Sequence, residues 1–254
     1  MRRLLLTACL ALWAWPAFAQ VVAIGIIESH TVAATASASE ASFDFAATDI
    51  GTSQGVFVCV IGLSSATVDA TSVDFVSGPN IPAVASATAT DTVSEPGFAK
   101  LYFLGSGVPT GTQTVRVTRN NNANLLYAYL GWVTAGGNTQ ITNAPVLLSE
   151  DGALAEQSVD DSSPGTNSMR FACAFSGSSS AIGAGANSTV GPAQDLGSVV
   201  AGSVFETTAG QGSRSIGFSV TSNGRAAVHF AISQSAAAGT NCGDGLLLGV
   251  GRCR

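Results

Sequence analysis

Apolar and polar residues alternate in short runs along most of the chain. Ser42-Phe43-Asp44-Phe45, Val115-Arg116-Val117 and Ile216-Gly217-Phe218-Ser219-Val220 each set one apolar face against a polar or small one. This is the two-residue period of a half-buried strand. Gly, Ser, Thr, Asn and Pro cluster between these runs and punctuate them. No long window carries apolar residues at helical spacing, and Gly, Ser and Thr at this density weaken any helix. The pattern predicts an all-β protein.

The runs also repeat. Phe57-Val58-Cys59-Val60-Ile61 aligns with Phe171-Ala172-Cys173-Ala174-Phe175, and Val115-Arg116-Val117-Thr118 with Phe218-Ser219-Val220-Thr221. A turn follows the second pair in each copy, Asn120 to Asn124 in one and Ser222-Asn223-Gly224-Arg225 in the other. Asn-Gly suits a tight hairpin because both residues tolerate positive φ. After the turns, Tyr127-Ala128-Tyr129-Leu130-Gly131-Trp132 aligns with Ala227-Val228-His229-Phe230-Ala231-Ile232. These matches define two half-repeats, about 40–135 and 155–236, joined by a crossover over 135–158. One copy, with so few recognisable strands, does not cover both of its own faces. The expectation is therefore a single domain over 20–254, a two-sheet antiparallel sandwich to which both halves contribute.

The first nineteen residues follow a different pattern. Met1-Arg2-Arg3 precedes an apolar stretch from Leu4 to Phe18, and Ala17-Phe18-Ala19 is a small-x-small cleavage site before Gln20. Residues 1–19 read as a secretory signal peptide, the alternative being an uncleaved anchor prolonged by Val21 to Ile27. Cleavage would leave 8 basic side chains against 16 acidic ones. Charged residues make up only 10% of the chain, and the net charge is −6 at pH 7. Such a chain lacks the basic surface that neutralises phosphates, which excludes a nucleic-acid partner.

The order of alternating strand, Gly-rich turn, Val56-Phe57-Val58-Cys59-Val60-Ile61-Gly62, Ser72-Val73-Asp74-Phe75, Ala99 to Leu104 and Gly111 to Val117 resembles jelly-roll-type sandwich modules. Such modules occur in secreted bacterial surface proteins and in structural proteins of tailed phages. The resemblance covers about 21–236, and it implies a jelly-roll-like sandwich with a role on a surface or particle exterior. It carries over no site residues.

Four cysteines follow the leader, an even number in a compartment that permits oxidation. Cys242 and Cys253 flank a short terminal loop and are expected to pair, closing a tail over 237–254. Cys59 and Cys173 hold equivalent places in the two copies. They form either a second bridge or buried free thiols, the latter favoured because strand centres seldom come within bridging distance. Cysteine spacings of 114, 69 and 11 residues lack the close pairs of a zinc site, and no metal or cofactor is expected.

The chain holds two histidines, His30 and His229. His30 reads as a solvated residue in a turn, and His229, aligned with Tyr129, as a surface or rim position. No Gly-x-Ser-x-Gly elbow surrounds any serine, so a histidine-based hydrolase is disfavoured. Glu150-Asp151, Asp160-Asp161 and Glu206 are the acids that paired-carboxylate chemistry or calcium would need, and a solvated role is preferred for them. On the last strand of the first copy, Tyr127 and Tyr129 share one face; Ala128, Leu130 and Trp132 share the other, which reads as core. Tyr127 and Tyr129 are thus the candidate glycan platform. The expected function is a non-enzymatic, exported structural protein that self-associates or joins a larger surface assembly. The alternative is a glycan- or receptor-binding module on a cell or virion.

Overall fold

The computed structural model describes residues 22–33, 41–47, 54–64, 70–89, 96–119, 123–135, 137–150, 154–159, 168–177, 182–195, 200–206, 210, 212–220 and 225–235. The expected signal peptide and the Cys242–Cys253 pair lie outside them. Every regular element among the described residues is a strand.

In the N-terminal half these are β1 (Val22–Ala33), β2 (Ala41–Ala47), β3 (Gly55–Ser64), β4 (Ala70–Phe75), β5 (Asn80–Ile81), β6 (Ala83–Ala89), β7 (Gly97–Leu104), β8 (Gln113–Arg119) and β9 (Ala123–Thr134). They form an inner sheet ordered β1-β9-β3-β7-β6 and an outer sheet ordered β2-β8-β4-β5. The C-terminal half has β10 (Thr139–Ile141), β11 (Val146–Glu150), β12 (Leu154–Val159), β13 (Ser168–Ser176), β14 (Ser188–Asp195), β15 (Val200–Glu206), β16 (Arg214–Val220) and β17 (Arg225–Gln234). Its inner sheet runs β10-β17-β13-β15-β14, with β11 also on β17, and its outer sheet is the pair β12-β16, to which residues 183–185 add a short antiparallel bridge at Phe218 of β16. All pairings are antiparallel.

The all-β antiparallel sandwich is present, with more layers than expected: four sheets instead of two. Each half closes its own sandwich because it holds more strands than its alternation reveals. Residues 135–158 are not a bare crossover, since they contribute β10, β11 and the start of β12. Three apolar layers separate the four sheets. Val58, Val60 and Leu130 of the N-terminal inner sheet pack on Val73, Phe75 and Val117 of its outer sheet. Ala172, Ala174 and Val204 pack on Ile216 and Phe218 in the same way in the C-terminal half. Between the inner sheets lies a seam that includes Phe57, Cys59, Ile61, Phe171, Cys173 and Phe230.

The order β1-β9-β3-β7-β6 has its counterpart in β11-β17-β13-β15-β14, and β2-β8 in β12-β16. The three aligned segment pairs fall on corresponding strands, β3 with β13, β8 with β16 and β9 with β17. Cross-strand pairing refines the last alignment by one residue. Cys59 stands opposite Tyr129, whereas Cys173 stands opposite Val228. His229, opposite Ala172 as Leu130 is opposite Val58, therefore corresponds to Leu130.

Candidate functional site

The feature that joins the halves is the seam. Phe57 and Phe171 hold corresponding positions, and their ring centroids lie 4.6 Å apart. Phe230 completes the cluster at 5.3 Å from Phe57 and 5.5 Å from Phe171. Two residues along each strand, Cys59 and Cys173 form a disulfide with Cα atoms 6.4 Å apart. Residues that the sequence aligns between the two copies thus meet each other across the seam. The preference for free thiols is overturned, because the seam brings the two strand centres within bridging distance. Small residues let the aromatic rings fit. A Cβ on Gly131 would collide with the Phe57 ring, and one on Gly97 with the Phe175 ring. At the rim, the Thr88 backbone N–H on edge strand β6 donates to Ser149 Oγ on β11, at 3.1 Å.

The second polar feature lies inside the C-terminal sandwich. Every residue of β13 is buried, including Arg170. Its guanidinium donates to Glu206 Oε2 at 3.0 Å, to the Val159 carbonyl at 3.0 Å and to the carbonyls of Gly210 and Gly212. The Arg170 backbone N–H also donates to Glu206, and Arg214 reaches the other carboxylate oxygen at 2.7 Å. One buried carboxylate thus serves two guanidiniums, and the cluster ties β12, β13, β15 and β16 to residues 210–212. A charge in a strand buried on both faces survives only when paired and hydrogen-bonded this fully. The sequence signal was an arginine between Met169 and Phe171, both apolar, which required an acid elsewhere.

His229 is wholly buried on β17, on the face toward the outer sheet. Its ring meets Phe218 edge-on at 5.8 Å, and neither ring nitrogen has a hydrogen-bond partner. Burial pushes its pKa down to about 4, against a smaller upward pull from the Val146 backbone, which lies outside hydrogen-bond geometry. The surface or rim reading of His229 is thereby corrected. The one-residue slip in the alignment moved it to the wrong face, as any slip does in a strand.

In the N-terminal core the polar insertions are partnered. Lys100 Nζ and Tyr102 Oη both donate to the Ala70 carbonyl, at 2.8 and 3.0 Å. Burial lowers the Lys100 pKa and raises that of Tyr102.

The remaining candidates resolve as follows. Tyr127 is 1% exposed and belongs to the seam, so it is not an exposed glycan platform; a strand face that looked solvated is covered by the other half. Tyr129 lies on β9 opposite Cys59, its side chain outside the described residues. Trp132 packs against the N-terminal core. His30 lies within β1, opposite Ala128, and not in a turn. Glu150 ends β11 opposite Arg225, Glu206 is in the ion cluster, and Asp151, Asp160 and Asp161 are outside the described residues. Among the described residues no group of three His, Cys, Asp or Glu side chains is placed to hold a metal ion. No family model, curated protein or solved structure matches the chain.

Proposed function

We propose that the chain is a non-enzymatic, exported structural protein of a cell-surface or virus-particle exterior, built as two jelly rolls fused face to face by duplication. The observation that carries this reading is the Cys59–Cys173 bridge, set between two apolar inner sheets. A buried disulfide of this kind belongs to an oxidising compartment, which agrees with the leader-like residues 1–19. The strand order supports the jelly-roll assignment. In the N-terminal half β1, β9, β3 and β7 lie side by side in one sheet, which β6 extends at its edge, and β2, β8, β4 and β5 in the other. Apart from β6 this order agrees with the eight-strand, double Greek-key plan of jelly rolls, a scaffold that builds capsids as well as lectins. The fold alone does not choose between those uses. The glycan- or receptor-binding reading has lost Tyr127, one of its two carriers.

Electron microscopy and light scattering of the purified mature protein test the proposal. Ordered assemblies that grow with concentration are expected, and a monodisperse monomer at high concentration would overturn it. Intact mass before and after reduction reports the mature N-terminus and the bridge count in the same sample.

A further inference from the structure

We infer that the C-terminal half carries an acid-sensitive latch centred on His229, whose protonation loosens the outer pair β12-β16 from the inner sheet while the seam and the N-terminal half stay closed. The inference is independent of the role proposed above. His229 projects from β17 between the two layers, with Ala172 and Val146 as its cross-strand neighbours and Phe218 of β16 facing its ring. Around it the layer is made of small and aliphatic side chains, among them Ala227, Ala231, Val204 and Ile216. Neutral imidazole already forgoes two hydrogen bonds in this site. Imidazolium would bring two N–H donors and a charge, with only the Val146 backbone near it and that outside hydrogen-bond geometry.

The charged groups on the packed elements do not rescue it. Arg170 of β13 and Glu206 of β15 stand opposite each other in the next row of the inner sheet, since Phe171 pairs with Phe205. Arg214 of β16 shares the same carboxylate. On β11 the acid is Glu150, opposite Arg225 of β17 itself. On β12 it is Glu156, paired with Gly217. On β14 it is Asp195, opposite Val200 at the far edge of the inner sheet. Protonation therefore places a cation without an aligned acceptor inside an apolar layer, and the relief is water entering between β16 and β17. Among the described residues the outer layer here has β12, β16 and the short segment 183–185 bridged to β16, against four strands in the other half, so it is the less extensive outer layer.

The N-terminal half supplies the control, because Leu130 occupies the corresponding position and does not titrate. The sign follows from linkage. The folded pKa of about 4 lies below the free value of 6.5, so the unfolded or opened state binds more protons between them. Stability is complete above 6.5, declines as pH falls toward 4, and is flat below. Near pH 5 the closed-to-open ratio is about 30-fold smaller than near pH 7.5.

Hydrogen exchange, corrected for intrinsic rates, tests this on the full disulfide-bonded protein near pH 7.5 and near pH 5. In the wild type, protection across β16 and β17 should fall about 30-fold while protection of β3 is unchanged. His229→Leu, which installs the residue used by the other half, should abolish the fall; His30→Gln should retain it. Equal loss in both halves, or an unaltered loss in His229→Leu, overturns the latch. Should His229→Leu not fold, the wild-type His229 ring is followed by NMR. A midpoint below about 5 supports the latch and one at about 6 or above overturns it.

Discussion

The two halves share a strand order and differ in what fills it. Counting from the paired cysteines, Val56, Val58 and Val60 of β3 correspond to Arg170, Ala172 and Ala174 of β13. Pairing with those strands matches Leu126, Leu130 and Trp132 of β9 to Arg225, His229 and Ala231 of β17. At nearly every compared position facing the outer sheet, the N-terminal half has a branched aliphatic or aromatic residue and the C-terminal half has alanine, a charge or an imidazole. Among the described residues the outer sheet shrinks in parallel, from four strands to β12, β16 and the short bridge of residues 183–185. Alternation and turn chemistry are thus enough to specify the topology, while the distribution of stability depends on side-chain volume and polar satisfaction. One half is held by hydrophobic packing. The other combines an alanine-rich apolar layer of its own with a buried carboxylate shared by two arginines.

The largest expected effect comes from cutting the Cys59–Cys173 bridge. The bridge spans 114 residues of sequence, so replacing both Cys59 and Cys173 with alanine should cost about 5 kcal/mol in the chain-entropy model. The qualitative outcome is more telling than the figure. With the halves free to separate, calorimetry should show the single transition split in two, the C-terminal half melting first. One coincident transition in the double variant would mean that the apolar seam alone couples the halves.

Next in size is the ion cluster. Glu206→Gln leaves Arg170 buried without its counter-charge, and breaking a buried pair from one side costs about 3–5 kcal/mol. The loss should be confined to the C-terminal half, leaving exchange protection of β3, β7 and β9 unchanged. Replacing both partners, as Arg170→Met with Glu206→Leu, should recover most of the loss, because no orphaned charge remains. If the double variant is as unstable as Glu206→Gln, the cluster acts through the Gly210 and Gly212 carbonyls that Arg170 holds, and not through charge balance.

These differences explain which parts of the fold were legible. Strands β2, β8 and β16 alternate strongly between Phe, Val or Ile and polar residues, and they were read directly. Strand β6, Ala-Val-Ala-Ser-Ala-Thr-Ala, offers almost no contrast in hydropathy between its faces, so it was not among the runs read as strands. Strand β13 is buried on both faces, so alternation disappears and Arg170 is hidden inside it. The equivalence of Cys59 and Cys173 was visible and a bridge was one of its two readings, but free thiols were preferred because nothing in the alternation showed that the two strands face each other across the seam. Tyr127 was misplaced for a related reason, since a face that looks free in one half is the face that the other half covers.

The smallest expected effect sharpens the comparison from the N-terminal side. Lys100 is a half-buried polar insertion at that core, as His229 is a buried one in the other, but Lys100 has a partner. Its ammonium and the Tyr102 hydroxyl share the Ala70 carbonyl, and the ammonium sits 5.1 Å from the Tyr102 ring centroid. Lys100→Met keeps the stem, leaves the Ala70 oxygen satisfied by Tyr102, and should cost only about 0.5–1 kcal/mol at neutral pH. Its pH dependence has the opposite location to that of His229. Burial holds the folded pKa of Lys100 below 10.5, so the unfolded chain keeps its proton longer as pH rises. The wild type should therefore gain stability relative to Lys100→Met on approaching that value from below, and the two should run parallel between about pH 4 and pH 7, where lysine is protonated in both states. Denaturant titrations near pH 7 and near pH 9.5 measure the difference. A gap between the two proteins that opens in acid instead would place an acid-responsive group in the half that Leu130 was expected to make inert.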